Sequence, residues 1–294
     1  MKIYSYICSN WDKKQVQILR QYNIDVKEGW NGFCIYDLEI YLKLKPLLKK
    51  WELFGTVGTD FTKRERLSAD YCVLDRWRTF GYPMPDGDMG YLYNTYDTTE
   101  MCDDCGVGIV QKDDFRAKRV PKYPVWGFIW IWDEIFVRVD LYEKVFKPLG
   151  IECRPLRRCR KGVPYESYVQ LVIPVIDEAL DMSFFGYEVC PKCGSIKYNA
   201  LIRGYCPLQE HPLPYIYKSK ELFGSGFSVQ RKIFVSASLR DTMLENGMLK
   251  VRDFIPCVKT EELRAKNEGV LKWWKPEIEV GGTSHLNIVV AIPD

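Results

Sequence analysis

Hydrophobic and polar positions change period several times along the chain. Near the start, KIYSYIC alternates with the two-residue period of a half-buried strand. DLEIYLKLKPLLKKW, 37–51, places Leu38, Tyr41, Leu42 and Leu48 at helical spacing, with Pro46 expected to interrupt the helix. GYPMPDGDMGYLYNTYD, 81–97, is dense in Gly, Pro, Asp and Tyr and reads as loop. It divides an N-terminal α+β region, 1–95, from the remainder, 96–294. Towards the end, EIEVGGTSHLNIVVAI, 277–292, reads as a hairpin.

Beyond residue 95 a weak internal repeat is visible, about 102–156 and 190–254. IFVRVDLYEKVFKPLGIECRPL, 135–156, and IFVSASLRDTMLENGMLKVRDF, 233–254, both open on Ile-Phe-Val. Both then place a leucine (Leu141, Leu239) and reach a glycine (Gly150, Gly247). Each copy predicts a short apolar strand, an N-cap at Asp140 or Ser238, a helix of two to three turns, and glycine closing it in the left-handed conformation. Strands alternating with short helices make the expected class α+β, a mixed fold rather than a bundle or sandwich.

At 294 residues the chain is long enough for one large domain or two ordinary ones. With 47% hydrophobic and 28% charged residues it has the composition of a globular protein. Nineteen Tyr, nine Trp and fourteen Phe suit either a large core or a surface offering rigid aromatic side chains to a partner. A net charge of +3 is too small to argue for nucleic acid by itself. Locally, CRPLRRCRK, 153–161, carries Arg154, Arg157, Arg158, Arg160 and Lys161 with no acid. It reads as a solvated face or as a contact patch for phosphates or an acidic partner. The most apolar window, VWGFIWIW, 125–132, falls far short of the ~20 residues of a membrane span, and the first residues lack a signal-peptide pattern.

Eleven cysteines without a secretory signal suggest reduced thiols in a cytoplasm, where paired cysteines act as metal ligands or redox centres. Four of them form two matching units, CDDCG at 102–106 and CPKCG at 190–194. In Cys-x-x-Cys-Gly two thiolates converge on one ion and the glycine relieves the turn after the second sulfur. Two such knuckles supply Cys102, Cys105, Cys190 and Cys193, the four sulfurs of a closed structural zinc site. The separation is long beside the usual twenty or so residues, so the knuckles meet only if the intervening chain folds as an excursion. Two related halves, each with one knuckle, would do this. Asp103 and Asp104 add negative charge to a site that is already anionic. Other ligand sets, drawing on Cys206, His211, Cys153 or Cys159, remain open, as do redox use and no metal. The next residues (GVGIVQK, GSIKYNA) are turn-like or polar rather than a helix start, which favours metal over redox chemistry.

Catalytic patterns are missing: the two histidines, His211 and His285, sit in unrelated contexts, and no nucleophile elbow, zincin helix or Walker lysine occurs. Nothing in the sequence supports an enzyme. A nucleic-acid-associated zinc ribbon using 153–161 is the alternative to a protein-binding role.

The two CxxCG units resemble the double-CxxCG motif proteins of bacteria. The likeness extends past the second unit through YCPLQEHPLP, Glu221-Leu222-Phe223 and IFVSASL. IFVRVDLYEKVFKPLGIECRPL is also similar to the strand-helix-strand ending of several immunity-protein families of polymorphic toxin systems. The similarity covers residues 95–257. It implies a non-enzymatic antidote that binds a cognate protein toxin.

Overall fold

Alternation at the N-terminus produces β1 (Lys2–Trp11), which is followed by α1 (Lys13–Arg20), β2 (Gly29–Ile35), α2 (Leu38–Lys50) and β3 (Thr56–Asp60). This is a computed structural model that describes residues 1–75, 79–81, 90–121, 128–210 and 213–280. The three strands form an antiparallel sheet in the order β2-β1-β3. One face buries Ile7, Ile35 and Val57 against Val16 and Leu19 of α1 and Tyr41, Leu44 and Leu48 of α2. The expected break at Pro46 does not occur, and α2 runs through it. Pro46 and Leu42, whose carbonyl loses its helical donor, both lie on the exposed side, where water can take the donor's place.

The chain continues through α3 (Lys63–Ser68), β4 (Tyr71–Leu74), β5 (Thr79–Gly81) and α4 (Gly90–Thr95). The loop expected over 81–97 is therefore helical at 90–95, because Tyr91, Leu92 and Thr95 are buried; 82–89 lie outside the described residues. Then come β6 (Tyr96–Asp97), β7 (Val110–Gln111), β8 (Arg116–Ala117), β9 (Phe128–Ile131) and β10 (Glu134–Arg138). A mixed helical segment is next: α5 (Val139–Leu141), a π turn (Tyr142–Phe146) and a 3₁₀ turn (Lys147–Leu149). It leads to β11 (Cys153–Arg158), β12 (Pro164–Leu171), β13 (Tyr187–Val189) and β14 (Ile196–Tyr198). The last part holds β15 (Cys206–Leu208), β16 (Ile216–Lys218), β17 (Leu222–Phe223), β18 (Ile233–Ser236), α6 (Ala237–Glu245), β19 (Phe254–Lys259) and α7 (Thr260–Val280). The fold is α+β. Residues 277–280, expected in a hairpin, end α7; the rest of that hairpin lies outside the described residues.

Two further sheets share one strand plan. The first runs β5-β9-β10-β12-β11-β8 and the second β16-β18-β4-β19-β15. In each, the strands before and after the helix (β10 and β11; β18 and β19) are separated by one strand antiparallel to both, β12 or β4. Outside them, β9 and β16 are antiparallel neighbours, whereas β8 and β15 are parallel ones. The difference is where the central strand comes from. β12 directly succeeds β11, but β4 arrives from residues 71–74, so this sheet crosses the sequence division at residue 95.

Both helical segments end in the same C-cap. Gly150 (φ 72°) and Gly247 (φ 65°) are left-handed, and the next N–H donates back to Phe146 and Met243 carbonyls respectively. The N-caps differ from expectation. Arg138, not Asp140, precedes the first helix, and Asp140 pairs with the Arg138 guanidinium instead. In the second, Ser236 rather than Ser238 accepts from the Leu239 N–H. Ser236→Ala should therefore cost about 1 kcal/mol in urea unfolding while Ser238→Ala is near neutral; equal effects would refute the assignment. Val145 and Phe146 pack with Leu239 and Met243 in one core between the sheets. Among the described residues no helix is long and apolar enough to cross a membrane.

Candidate metal centre

Each CxxCG lies in the connection of a short antiparallel hairpin, the first between β6 and β7 and the second between β13 and β14. The two turns have the same backbone. Gly106 and Gly194 both sit at φ 73°, and their N–H groups donate to the Cys102 and Cys190 carbonyls at 2.7 and 2.9 Å. The Cys102 and Cys190 N–H groups donate to Val107 and Ser195 carbonyls at 2.8 and 2.9 Å.

The knuckles meet. Cys102 Sγ lies 3.8 Å from Cys190 Sγ and Cys105 Sγ lies 3.5 Å from Cys193 Sγ. All four sulfurs fall within 4.8 Å of one another. Zinc at about 2.3 Å from each of four tetrahedral sulfurs requires edges of about 3.8 Å, so this donor set fits such an ion with little movement. Cys105 and Cys190 are buried, Cys102 is half-buried and Cys193 is exposed.

The thiols are unequal. Hydrogen bonding between the Cys193 sulfur and the Ser195 hydroxyl 3.2 Å away, and then with the Ser195 backbone N–H, lowers the Cys193 pKa to about 6. Burial raises Cys105 to about 12, against the lowering effect of the Val107 N–H. A bound cation would hold all four as thiolates, and the two N–H groups occupy equivalent places in the turns to support that charge. The acidic first knuckle is matched by the second: the Lys192 amine pairs with Asp103, whose pKa is lowered chiefly by that bond.

A support for the first knuckle had no signal in the sequence. Buried Lys197 pairs with Glu188 at 3.0 Å and donates to the Gly226 carbonyl, while the Gly226 N–H donates to Glu188. This pins loop 224–228, and a Cβ on Gly106 would lie 2.7 Å from the Phe227 carbonyl oxygen there. Around Gly194 a Cβ would meet nothing within 4 Å. Gly194→Ala should thus cost only the left-handed penalty, about 1 kcal/mol. Gly106→Ala should cost clearly more and weaken metal retention in a chelator competition; equal costs would contradict the packing.

Among the described residues, the other ligand candidates stay apart from this cluster. Cys206 pairs in register with Cys257 in the second sheet, and Cys153 lies on β11 beside Tyr142. Cys159 lies in the turn after β11, while His211 is outside the described residues. The basic stretch is partly structural. Arg157 is held by Asp114 at 2.6 Å and by the Gly162 carbonyl, and Arg158 stacks over Tyr165 at 4.5 Å. Arg154, Arg158, Arg160 and Lys161 are exposed on this hairpin. Comparison with family models, curated proteins and solved structures finds no match to this chain.

Proposed function

We propose that this chain is a non-enzymatic, zinc-stabilised binding protein of the cytoplasm that acts as an immunity protein, neutralising a cognate protein toxin. The observation that carries it is the convergence of Cys102, Cys105, Cys190 and Cys193. Four sulfurs close the coordination sphere and leave no position for a substrate, so the metal acts as a staple. The shared strand plan supports reading the two sheets as related halves, the second completed by β4 in place of a strand of its own. Zinc at the meeting point of equivalent hairpins then holds a rigid body, and exposed Trp30, Phe54 and Tyr93 are the kind of anchors that partner surfaces use.

The test begins with native mass spectrometry of the tagged chain isolated from its own host at moderate salt. One zinc and one stoichiometric protein partner are expected. That partner, expressed alone, should arrest growth, and co-expression of this chain should relieve the arrest. A partner whose expression is harmless, or whose toxicity this chain does not change, would overturn the antidote reading.

The exposed Arg154, Arg158, Arg160 and Lys161 favour one alternative, a nucleic-acid-associated zinc protein. Its mark would be co-purified nucleic acid whose binding falls steeply with salt and weakens when these four residues are neutralised.

A further inference from the structure

The uncovered face of the N-terminal sheet has a construction of its own. Alternation along β1 sends Ile3, Ser5 and Ile7 to the helices and Tyr4, Tyr6 and Cys8 to the opposite side. The register sets Tyr6 opposite Cys34, Cys8 opposite Gly32, and Tyr4 opposite Gly58. A Cβ on Gly58 would lie 2.6 Å from the Tyr4 ring, and one on Gly32 would lie 2.5 Å from the Tyr6 hydroxyl. Both rings therefore lie down across neighbouring strands, over positions where only glycine leaves room. Tyr36 lies beside Tyr4, their centroids 5.6 Å apart and their planes inclined at 53°, so it edges the floor rather than extending it. The platform is open: Tyr6 is 43% and Tyr36 57% exposed.

This floor belongs to a cleft of about 660 Å³ whose other wall includes Leu201, Ile202 and Ile255, within the size range of small-molecule sites. Its charges are of both signs. Arg66 is committed to Asp60 and to the Phe61, Arg252 and Phe254 carbonyls. Arg252 lines the cleft, is exposed, and its guanidinium has no hydrogen-bond or ion-pair partner among the described residues. The Asp60 carboxylate, 64% exposed, stands at the same cleft as an acceptor.

We propose that this cleft binds a nucleobase-bearing ligand, with the base stacked on the floor formed by Tyr4 and Tyr6 and edged by the inclined Tyr36 ring, a ring amino group on Asp60, and phosphate on Arg252. Flat aromatic rings on an antiparallel sheet accept any base by its π-face. A neighbouring guanidinium and carboxylate match a ligand that carries both an anion and an amino-bearing ring. The same chemistry arrives as a free nucleotide or as a single strand. Trp30, 78% exposed and the next residue on this face of β2 beyond Gly32, would then take a second base of a strand. The inference depends on neither functional reading above.

The 294-residue chain, loaded with zinc, should be titrated with AMP, GMP, CMP and UMP by calorimetry, and with a fluorescein-labelled single-stranded RNA octamer by anisotropy. Saturable binding of at least one probe is expected. Tyr6→Ser with Tyr36→Ser should weaken it by about tenfold or more, and Arg252→Gln should weaken a nucleotide far more than its nucleoside. Binding of a mononucleotide that ignores Trp30→Ser assigns a free nucleotide; binding of the octamer alone, weakened by Trp30→Ser, assigns a strand. No saturable binding of any probe overturns the proposal. So does binding that survives the tyrosine pair in a variant with wild-type melting temperature and zinc content. Should that variant fail to fold, undiminished binding by Arg252→Gln is the overturning result.

Discussion

Cys190→Ser is expected to drop zinc from about one per chain to near zero and to destabilise the protein by several kcal/mol. Serine is a poor zinc ligand, and the loss of one of four sulfurs breaks a site whose folding contribution in small zinc domains is on the order of 10 kcal/mol. In this larger chain the apolar cores persist, so the expected signature is a melting temperature lowered by about 10 °C or more rather than complete unfolding. Cys105→Ser should behave alike, since both residues are buried. Cys159→Ser is the control and should retain the metal. Metal analysis and thermal denaturation decide the matter. A soluble Cys190→Ser, Cys193→Ser protein that melts like the wild type would remove the structural role. Full zinc content in the single variant would place the ion elsewhere.

The second large effect is expected at Lys218→Met, where about 3–5 kcal/mol should be lost. Lys218 is buried at the end of β16, with Nζ 2.6 Å from Glu134 Oε1 and 3.7 Å from Asp133 Oδ2. Glu134 also accepts from Gln170 Nε2 at 2.9 Å, and Gln170 exchanges two hydrogen bonds with Gln111 just after the first knuckle. One lysine thus ties the second sheet to the first sheet and to the hairpin that carries the first CxxCG turn. Without it, two carboxylates stand close together in an enclosed site, and neither has another ion-pair partner among the described residues. Adding Glu134→Gln should recover part of the loss, because one buried charge is then gone. Strict additivity of the two substitutions in urea unfolding would show that they do not interact.

The same pair sets a pH dependence. Burial raises the Glu134 pKa above its usual value even with Lys218 beside it, and removing Lys218 pushes it further in that direction. An acid with a higher pKa in the folded state binds more protons there, so its folded form is favoured at low pH and loses stability as pH rises through that pKa. Acidifying Lys218→Met from about pH 7 to about pH 5 should therefore narrow its deficit against wild type. A widening deficit would mean that Glu134 is not the group left uncompensated.

Much of the local structure was legible in the residues. The alternation of KIYSYIC, the helical spacing after Asp37, and the paired Ile-Phe-Val segments with their closing glycines all appear in the fold. These are short-range effects, set by side-chain period and by the freedom of glycine at positive φ. The CxxCG units were legible for the same reason, because each knuckle is a closed local turn. Where local reasoning failed, the side chain's surroundings in the fold had overruled it. Tyr91 and Leu92 turned a loop-like composition into a helix, and the solvent side of α2 absorbed Pro46. Arg157 looked like a contact residue among its basic neighbours until Asp114, on another segment, was placed beside it.

The sequence by itself determined the α+β character, the two strand-helix-glycine units and the four cysteines in matched turns. Only the tertiary structure brought Cys102 to Cys190, put Lys192 on Asp103, and slid Tyr71–Leu74 between β18 and β19. The reason is physical. Period, caps and turn residues act over a few positions, whereas sheet hydrogen bonds join backbone groups that are alike in every residue but proline. A four-residue apolar strand with Cys72, Val73 and Leu74 buried suits a central slot in any sheet, and its neighbours are settled by how the whole chain packs.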